Sequence, residues 1–217
     1  MLSDIDLERY ARQAIMPDIG EEGQERLLAA RVLLVGAGGL GSPAGFYLAA
    51  AGIGHVSLVD DEHVEISNLN RQILHTTDSI GTAKVVQAAR MMSALNPGMT
   101  VEPVQARLTG SNADALVGAH DLVVDCSDNA DTRYLLGATA HRTGRPLIFG
   151  GAAKANFKPD RTGVEHLGQI QRGAIRILGP TDWARRKLRK VAFQRFFLSG
   201  AQGFAFKAPV KIAPGRA

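Results

Sequence analysis

The sequence VLLVGAGGLGSPAGFYLAAAGIGHVSLVD, residues 32–60, decides the fold of this chain. Short apolar runs predict a buried strand at residues 32–35 and another at residues 55–59. Between them, a glycine turn at residues 36–41 (Gly-Ala-Gly-Gly-Leu-Gly) leads into a helix of small apolar residues. The spacing of its glycines permits a tight turn, close approach of backbone to a ligand, and close packing of the helix on the sheet. This unit predicts an α/β fold.

The same unit predicts nucleotide binding. The free N–H groups at the start of a helix after such a turn face an anion. Asp60 ends the second strand, 19 residues after Gly41, where a carboxylate accepts ribose hydroxyls. We therefore expect Gly36, Gly38, Gly39 and Gly41 to lie beneath the nucleotide and Asp60 to bind its ribose.

Alternating strand and helix patterns continue to about residue 157. They predict a Rossmann-like, doubly wound and mostly parallel sheet, preceded by two N-terminal helices. The predicted strands span residues 32–35, 55–59, 101–106, 121–125 and 146–150. The predicted helices span residues 4–15, 21–30, 39–51, 81–95, 111–118 and 128–143. Residues 61–80 are expected to form a long loop or short helical turns, at a strand's carboxyl end where such sheets bind their ligands.

Length and composition limit the class of protein. The chain has 217 residues and 45% hydrophobic content, enough for one α/β domain with or without an appendage. No apolar run reaches the roughly 18 residues of a membrane span, and the acidic N-terminus lacks a signal-peptide pattern. We therefore expect a soluble, cytoplasmic protein. The single cysteine, Cys126, excludes an intrachain disulfide and a Cys₄ zinc site, and we interpret it as a core residue rather than a nucleophile.

Charged residues are distributed unevenly along the chain. Residues 1–151 hold 11 Lys and Arg against 18 Asp and Glu, whereas residues 152–217 hold 14 against 3. The first part therefore carries a net charge of −7 and the second +11. Together with the loss of periodicity, this predicts a first domain at residues 1–157 and an irregular basic segment at residues 158–217, in which residues 181–198 fit a basic helix.

Four further motifs accompany the glycine turn, each with an ordinary interpretation when taken alone. Arg12 and Arg71 fit surface charges, Lys84 fits a solvated helix lysine, and Asp128 fits a helix cap. The motifs are Arg9–Gln13 (RYARQ), Ser67–Gln72 (SNLNRQ), Gly81–Lys84 (GTAK) and Asp125–Asn129 (DCSDN).

Together, these motifs make residues 5–156 resemble the ThiF/MoeB/HesA family of ubiquitin-like activating enzymes, and molybdopterin-synthase adenylyltransferases within it. The resemblance implies a Rossmann-like domain that forms a homodimer and binds ATP with Mg²⁺. It also implies adenylation of the C-terminal Gly-Gly carboxylate of a ubiquitin-like sulfur carrier, either the small subunit of molybdopterin synthase or a thiamine-type carrier.

The resemblance also assigns roles to individual residues. Asp60 would bind the ribose of ATP, while Arg71 and Lys84 would hold its phosphates. Asn68 would sit near the phosphates and the metal, and Asp128 would position Mg²⁺ and help to orient the reacting carboxylate. Arg12 would reach into the site of the other subunit as an arginine finger.

The chain departs from the family after Phe157. The usual pairs of zinc-binding cysteines are missing, so zinc is not expected, and no family motif is recognised beyond that point. We expect a truncated enzyme whose C-terminus, from about residue 158, is replaced or out of frame, with catalysis impaired and nucleotide binding retained.

Two alternative functions remain open at this stage. The fold and Asp60 also suit an NAD- or FAD-dependent oxidoreductase, although Arg12, Arg71, Lys84 and Asp128 then have no explanation. The basic run at residues 185–190 and its neighbouring phenylalanines suit nucleic-acid binding, but no recognised nucleic-acid motif accompanies them, so a nucleic-acid partner is not expected.

Overall fold

The computed structural model describes residues 1–150 and the backbone of residues 176–178. Residues 151–175 and 179–217 lie outside the described part, and with them the predicted boundary at residue 157 and the predicted basic helix. Among the described helices, none is both long enough and apolar enough to cross a membrane.

Six strands of the described residues form one sheet. They are β1 (Arg31–Val35), β2 (His55–Val59), β3 (Thr100–Val104), β4 (Leu122–Asp125), β5 (Leu147–Phe149) and β6 (Arg176–Leu178). Their order in the sheet is β3-β2-β1-β4-β5-β6. The first five are mutually parallel, while β6 pairs antiparallel with β5, so the predicted doubly wound, mostly parallel sheet is confirmed.

Six α-helices within the described residues accompany the sheet. They are α1 (Asp4–Ala14), α2 (Gly20–Ala29), α3 (Gly41–Ala51), α4 (Lys84–Leu95), α5 (Ala113–Gly118) and α6 (Ala130–Thr143), with short 3₁₀ turns at Ile66–Asn68 and Thr77–Ser79. Ser3 caps α1 through a capping box with Asp6, and Gly52 ends α3 in the left-handed conformation. The predicted starts of α3 and α4 are two and three residues too early, because Gly39 belongs to the glycine turn and Gly81 has a φ of +84°.

The core lies on both faces of the sheet. Leu34 packs with α3 and α4 on one face, while Leu33 packs with α5 and α6 on the other, and both are completely buried. A parallel strand covered on two faces needs successive apolar residues rather than an alternation. This explains why the apolar runs in the sequence identified β1 and β2 directly.

The glycine turn is in close contact with the sheet beneath it. Gly36 has a φ of +95°, and a β-carbon there would lie 2.9 Å from the carbonyl carbon of Cys126. A β-carbon at Gly41 would overlap the carbonyl oxygen of Gly36. Both positions therefore exclude side chains for reasons of backbone geometry and space.

One residue of the turn, Ala37, has both of its backbone polar groups held by side chains. Its N–H donates to Asp60 Oδ2 at 2.8 Å, and its carbonyl oxygen accepts from His75 Nε2 at 3.0 Å. His75 is buried, and this burial lowers its pKa. A neutral imidazole with its proton on Nε2 supplies the donor that this contact needs. His75 thus positions the turn, although the sequence pattern assigned it no function.

A second buried histidine, His120, lies near the opposite end of the strands. Its Nδ1 is 2.6 Å from the carbonyl oxygen of Leu116, and its Nε2 is 2.8 Å from Ser57 Oγ on β2. Burial lowers the pKa of His120 as well. Both histidines therefore favour the neutral form in the folded protein.

Gly41→Ala is expected to destabilise the protein by about 3 kcal/mol, because the new methyl group displaces the turn from the helix. Gly137→Ala, in the interior of α6, is the matched control: no described atom lies within 4 Å of its β-carbon position. The control should be neutral or stabilise by about 0.5–1 kcal/mol. Chemical denaturation measures both, and an equally stable Gly41→Ala would contradict the packing described above.

Stability should decrease as the pH falls below about 6.5, the ordinary pKa of histidine. The unfolded chain then binds protons that the folded protein excludes from His75 and His120, so protonation favours unfolding. His75→Gln, which retains a donor for Ala37, should reduce this decrease, whereas substitution of the exposed His141 should not. Chemical denaturation at pH 7.5 and 5.5 tests this. An equal loss of unfolding free energy between the two pH values in the parent and in His75→Gln would contradict it.

Candidate nucleotide-binding site

A cleft of about 400 Å³ opens at the carboxyl ends of the parallel strands. The sheet order places four segments in a row along it: residues 106–108 after β3, Asp60 after β2, the glycine turn after β1, and Asp128 after β4. Ligands of open α/β sheets bind at this edge, beside the point where the strand order reverses. The fold therefore brings together most of the predicted site residues.

The carboxylate of Asp60 accepts two backbone hydrogen bonds, one at each oxygen. Oδ2 accepts from the N–H of Ala37, and Oδ1 accepts from the N–H of Glu62 at 2.8 Å. Each carboxylate oxygen has further lone pairs, so both still have capacity to accept from a hydroxyl in the cleft. Asp60 thus holds the turn in place and faces the cleft.

Lys84 is not the solvated helix lysine that its sequence position allows. It is the first residue of α4, its side chain is only 3% exposed, and its ammonium forms an ion pair with the more exposed carboxylate of Glu62. The backbone N–H of Lys84 also donates to the carbonyl oxygen of Glu62 at 2.9 Å. The cleft therefore contains a buried cation whose described partner is also part of its lining.

The loop that follows the first 3₁₀ turn lies over the glycine turn. A β-carbon at Gly39 would be 3.6 Å from Arg71 Cγ, and one at Gly38 would be 3.7 Å from Gln72 Nε2. The guanidinium of Arg71 donates to the carbonyl oxygen of Ser67 at 2.9 Å and to Asn70 Oδ1 at 3.1 Å. Arg71 is exposed and lines the cleft, as its predicted role requires.

Asp128 lines the opposite end of the cleft. The helix-cap interpretation of this residue is wrong, because Asn129 caps α6 by accepting from the N–H of Thr132 at 2.8 Å. Asp128 is exposed and forms no hydrogen bond or ion pair with a described residue. Its carboxylate is therefore available to a ligand or a metal ion.

The backbone before Asp128 is fixed by buried polar contacts. Asp125 Oδ1 accepts from the N–H and the hydroxyl of Ser127, at 2.9 and 2.6 Å. Arg133 donates to the carbonyl oxygen of Ser127 at 2.7 Å. Burial raises the pKa of the Asp125 carboxyl and of the Cys126 thiol, so Cys126 is a protonated core residue, as expected.

Three predicted site residues do not line the cleft. Gly41 lies beneath the turn, and Asn68 is buried under the loop, where Oδ1 accepts from the N–H of Glu65 at 3.0 Å. Arg12 is exposed on α1 and has no hydrogen bond or ion pair with a described residue. The role predicted for Arg12 places it in the cleft of a partner subunit rather than in its own.

The cleft also contains residues that the sequence reasoning did not select: Glu62, Gln72, Arg107, Asn129 and Thr132. Glu62 follows Asp60 by two residues, and Gln72 ends a motif that had already been singled out. Their closeness in sequence to predicted site residues was the signal that could have identified Glu62 and Gln72. Arg107 follows β3 and had no comparable signal.

Comparison with known proteins gives consistent results. The profile of the ThiF family matches residues 10–169. The SAMP-activating enzyme E1 of Haloferax volcanii is 51% identical over 148 residues, covering 68% of this chain and 55% of that protein. The sulfur carrier protein adenylyltransferase of Thermus thermophilus is 51% identical over 145 residues, covering 67% of this chain and 54% of that protein.

A solved structure shares the fold. The E. coli tRNA N6-threonylcarbamoyladenosine dehydratase TcdA, in complex with ATP, superimposes with a TM-score of 0.67 at 31% identity, covering 73% of this chain and 65% of that one. The chain spans about half the length of the two curated relatives. The family match extends past the predicted boundary at residue 157 and covers most of the chain. The chain belongs to the ThiF family.

Proposed function

We propose that this protein, acting in the cytoplasm, uses ATP to adenylate the C-terminal Gly-Gly carboxylate of a ubiquitin-like sulfur carrier, of the molybdopterin-synthase or thiamine type. One observation carries the proposal: a single cleft joins a glycine turn and Asp60 to two cations, Arg71 and Lys84, and to the carboxylate of Asp128, which has no partner among the described residues. The name of the Thermus relative supports adenylation of a sulfur carrier, and the ATP complex of TcdA supports ATP as the nucleotide.

The chemistry explains why cations are needed. A carboxylate oxygen of the carrier forms a bond to the α-phosphorus of ATP while the bond from that phosphorus to the bridging oxygen breaks. Pyrophosphate leaves, and the carrier becomes an acyl adenylate. Two anions meet in this step, so positive groups near the α-phosphate reduce their repulsion and stabilise the developing charge. Arg71 and Lys84 supply positive charge at the cleft.

Lys84 is prepared for this role by its ion pair. A buried ammonium without a partner is costly, and Glu62 removes that cost before any nucleotide enters. An incoming phosphate offers Lys84 a second anionic partner. The carboxylate of Glu62 is 67% exposed, so it can turn toward solvent when the phosphate takes its place.

The cleft fits Mg²⁺ bound together with a nucleotide. Within the described residues, no group of three or more His, Cys, Asp or Glu side chains is arranged to hold a metal ion by itself. Mg²⁺ in nucleotide sites is usually held by one or two carboxylates, substrate phosphates and water. Asp128 supplies the carboxylate, and the bound ion would neutralise phosphate charge.

Arg12 completes the proposed site from a second copy of the chain. Its exposure on α1 and its lack of a described partner leave the guanidinium free to enter another subunit. The functional unit is then a homodimer with two shared sites. An oxidoreductase would need none of these cations, and the region that suggested nucleic-acid binding lies outside the described residues.

Asp128→Asn should lower carrier-dependent ATP–pyrophosphate exchange by a factor on the order of 10², since the cleft loses the carboxylate assigned to Mg²⁺ and to orientation of the substrate. Asp131→Asn, on the exposed first turn of α6, is the matched control and should retain activity. Exchange is measured with a purified carrier ending in Gly-Gly. Equal activity of both variants would contradict the role of Asp128, and ATP binding without exchange in the parent would identify an impaired enzyme.

Arg12→Ala should abolish most exchange activity, while mixing it with Asp128→Asn should restore part of it. A mixed dimer has one site with both Arg12 and Asp128, so an equimolar mixture at equilibrium should recover about a quarter of the parent activity. Arg26→Ala, in a surface ion pair on α2, serves as the control. An active Arg12→Ala protein, or a mixture without recovery, would exclude a shared site.

A further inference from the structure

Helix α1 is anchored to the rest of the domain by one buried side chain, that of Tyr10. Tyr10 is the buried residue of this otherwise exposed or half-buried helix, with 2% of its surface accessible. Its hydroxyl oxygen accepts a hydrogen bond from Asn96 Nδ2 at 2.8 Å. Asn96 is equally buried and directly follows the last residue of α4. The C-terminal end of α4 therefore holds α1 through this bond.

The side chain of Asn96 is itself fixed by its other partners. Its Nδ2 atom also donates to the carbonyl oxygen of Ala49 in α3 at 2.8 Å, so both amide hydrogens are used. Its Oδ1 atom accepts from the N–H of Gly98 at 3.2 Å. Rotation of the amide would break these bonds in the protein interior, where unmade hydrogen bonds are costly. The hydroxyl of Tyr10 thus has one defined position.

Two further contacts support this attachment of α1. Gly52, at the end of α3, has a φ of +83°, and a β-carbon there would lie 2.6 Å from Cζ of Tyr10. Glycine at this position therefore leaves room for the ring. On the exposed side, Arg9 Nη1 donates to the carbonyl oxygen of Leu95, the last residue of α4, at 3.2 Å. Arg9 and Tyr10 thus attach α1 to the same end of α4.

The anchor determines the direction in which Arg12 leaves the subunit. Successive residues of an α-helix are separated by about 100°, so Arg12 lies about 200° around the helix from Tyr10. This separation agrees with the burial of the ring and the exposure of the guanidinium. Any rotation of α1 about its axis would move Arg12 by the same angle. The bond between Tyr10 and Asn96 restricts that rotation.

Helix α4 also connects this anchor to the cleft of its own subunit. Its first residue is Lys84, which lines the cleft, and its last is Leu95, twelve residues along. The two ends of one helix therefore position a cation for the subunit's own cleft and the helix that carries Arg12.

We propose that Tyr10 and Asn96 are positioning residues that act in trans: their hydrogen bond orients α1 so that Arg12 enters the cleft of the partner subunit. This inference rests on the proposed function, which supplies the homodimer and the role of Arg12. Both residues lie outside the cleft lining of their own subunit. A substitution at either position should impair the partner's site and leave the subunit's own cleft intact.

The test removes the hydroxyl of Tyr10 and keeps the ring. Tyr10→Phe should lower carrier-dependent ATP–pyrophosphate exchange about tenfold, because a misplaced catalytic group loses rate steeply with distance. Asn96→Ala removes the donor instead and should lower exchange at least as much. Ser57→Ala is the matched control, since it also deletes a buried, hydrogen-bonded hydroxyl but lies on β2, outside the cleft lining. The control should retain the exchange rate of the parent.

Subunit mixing distinguishes positioning from a general loss of structure. An equimolar mixture of Tyr10→Phe and Asp128→Asn forms mixed dimers at equilibrium. One cleft of each mixed dimer has Asp128 and receives Arg12 from a subunit that retains Tyr10. Exchange should therefore rise to about a quarter of the parent activity. Tyr10→Phe mixed with Arg12→Ala should show no such recovery, because both substitutions affect the same arm.

Parent-level exchange in Tyr10→Phe and Asn96→Ala would overturn the inference. A mixture of Tyr10→Phe with Asp128→Asn that only averages the two rates would also overturn it, because the defect would then lie in the subunit's own cleft. If Arg12→Ala with Asp128→Asn recovers activity in the same experiment, the proposed function stands and only the positioning role fails. If neither mixture recovers, the shared site is refuted together with this inference.

Discussion

The structure of the cleft depends on the backbone of Ala37, whose N–H and carbonyl oxygen are both held by side chains. Asp60 accepts from its N–H, and His75 donates to its carbonyl oxygen, so the ends of β2 and of the loop at residues 67–75 are both tied to the glycine turn. This arrangement sets the position of the loop, and the loop carries Arg71 and Gln72. The backbone of one residue therefore fixes the relative placement of the proposed ribose and phosphate contacts.

The two cations of the cleft are also held in place by local contacts. Lys84 and Arg71 each have a partner from their own surroundings, an ion pair with Glu62 for the first and hydrogen bonds to Ser67 and Asn70 for the second. Such partners hold the cations in place before a ligand arrives, which reduces the rearrangement that binding requires. Asp128, at the far end, lacks any such described partner. This difference fits the proposed roles: Arg71 and Lys84 provide preorganised positive charge, and Asp128 provides a carboxylate that is accessible to a metal ion or substrate.

The sequence predicted the five parallel strands and the six helices of the described residues. Two-sided burial explains the continuous apolar runs of β1, β2, β4 and β5, whereas the edge strand β3 is mostly exposed and has no such run. It also indicated Asp60, Arg71, Lys84 and Asp128, whose motifs are local. The burial of Lys84 was not predictable, since its partner Glu62 lies 22 residues away and the contact depends on how β2 and α4 meet. The lack of a partner for Gln72 Oε1 among the described residues was likewise not predictable, because a missing hydrogen bond is a property of the assembled tertiary structure. Asp128 also fitted a helix cap, because the sequence alone does not show which of two adjacent polar residues caps a helix; the structure assigns this role to Asn129.

The glycines of the turn fall into two groups, which differ in why glycine is needed. Gly36 and Gly41 have no room for a side chain against the turn's own backbone and that of Cys126, so the fold itself excludes substitution there. Gly38 and Gly39 have ordinary van der Waals room beside Gln72 and Arg71, and their φ angles do not require glycine. The fold would tolerate a methyl group at either position, but that group would project into the space above the turn. The first pair thus determines the shape of the turn, while the second pair allows a ligand to approach the backbone closely.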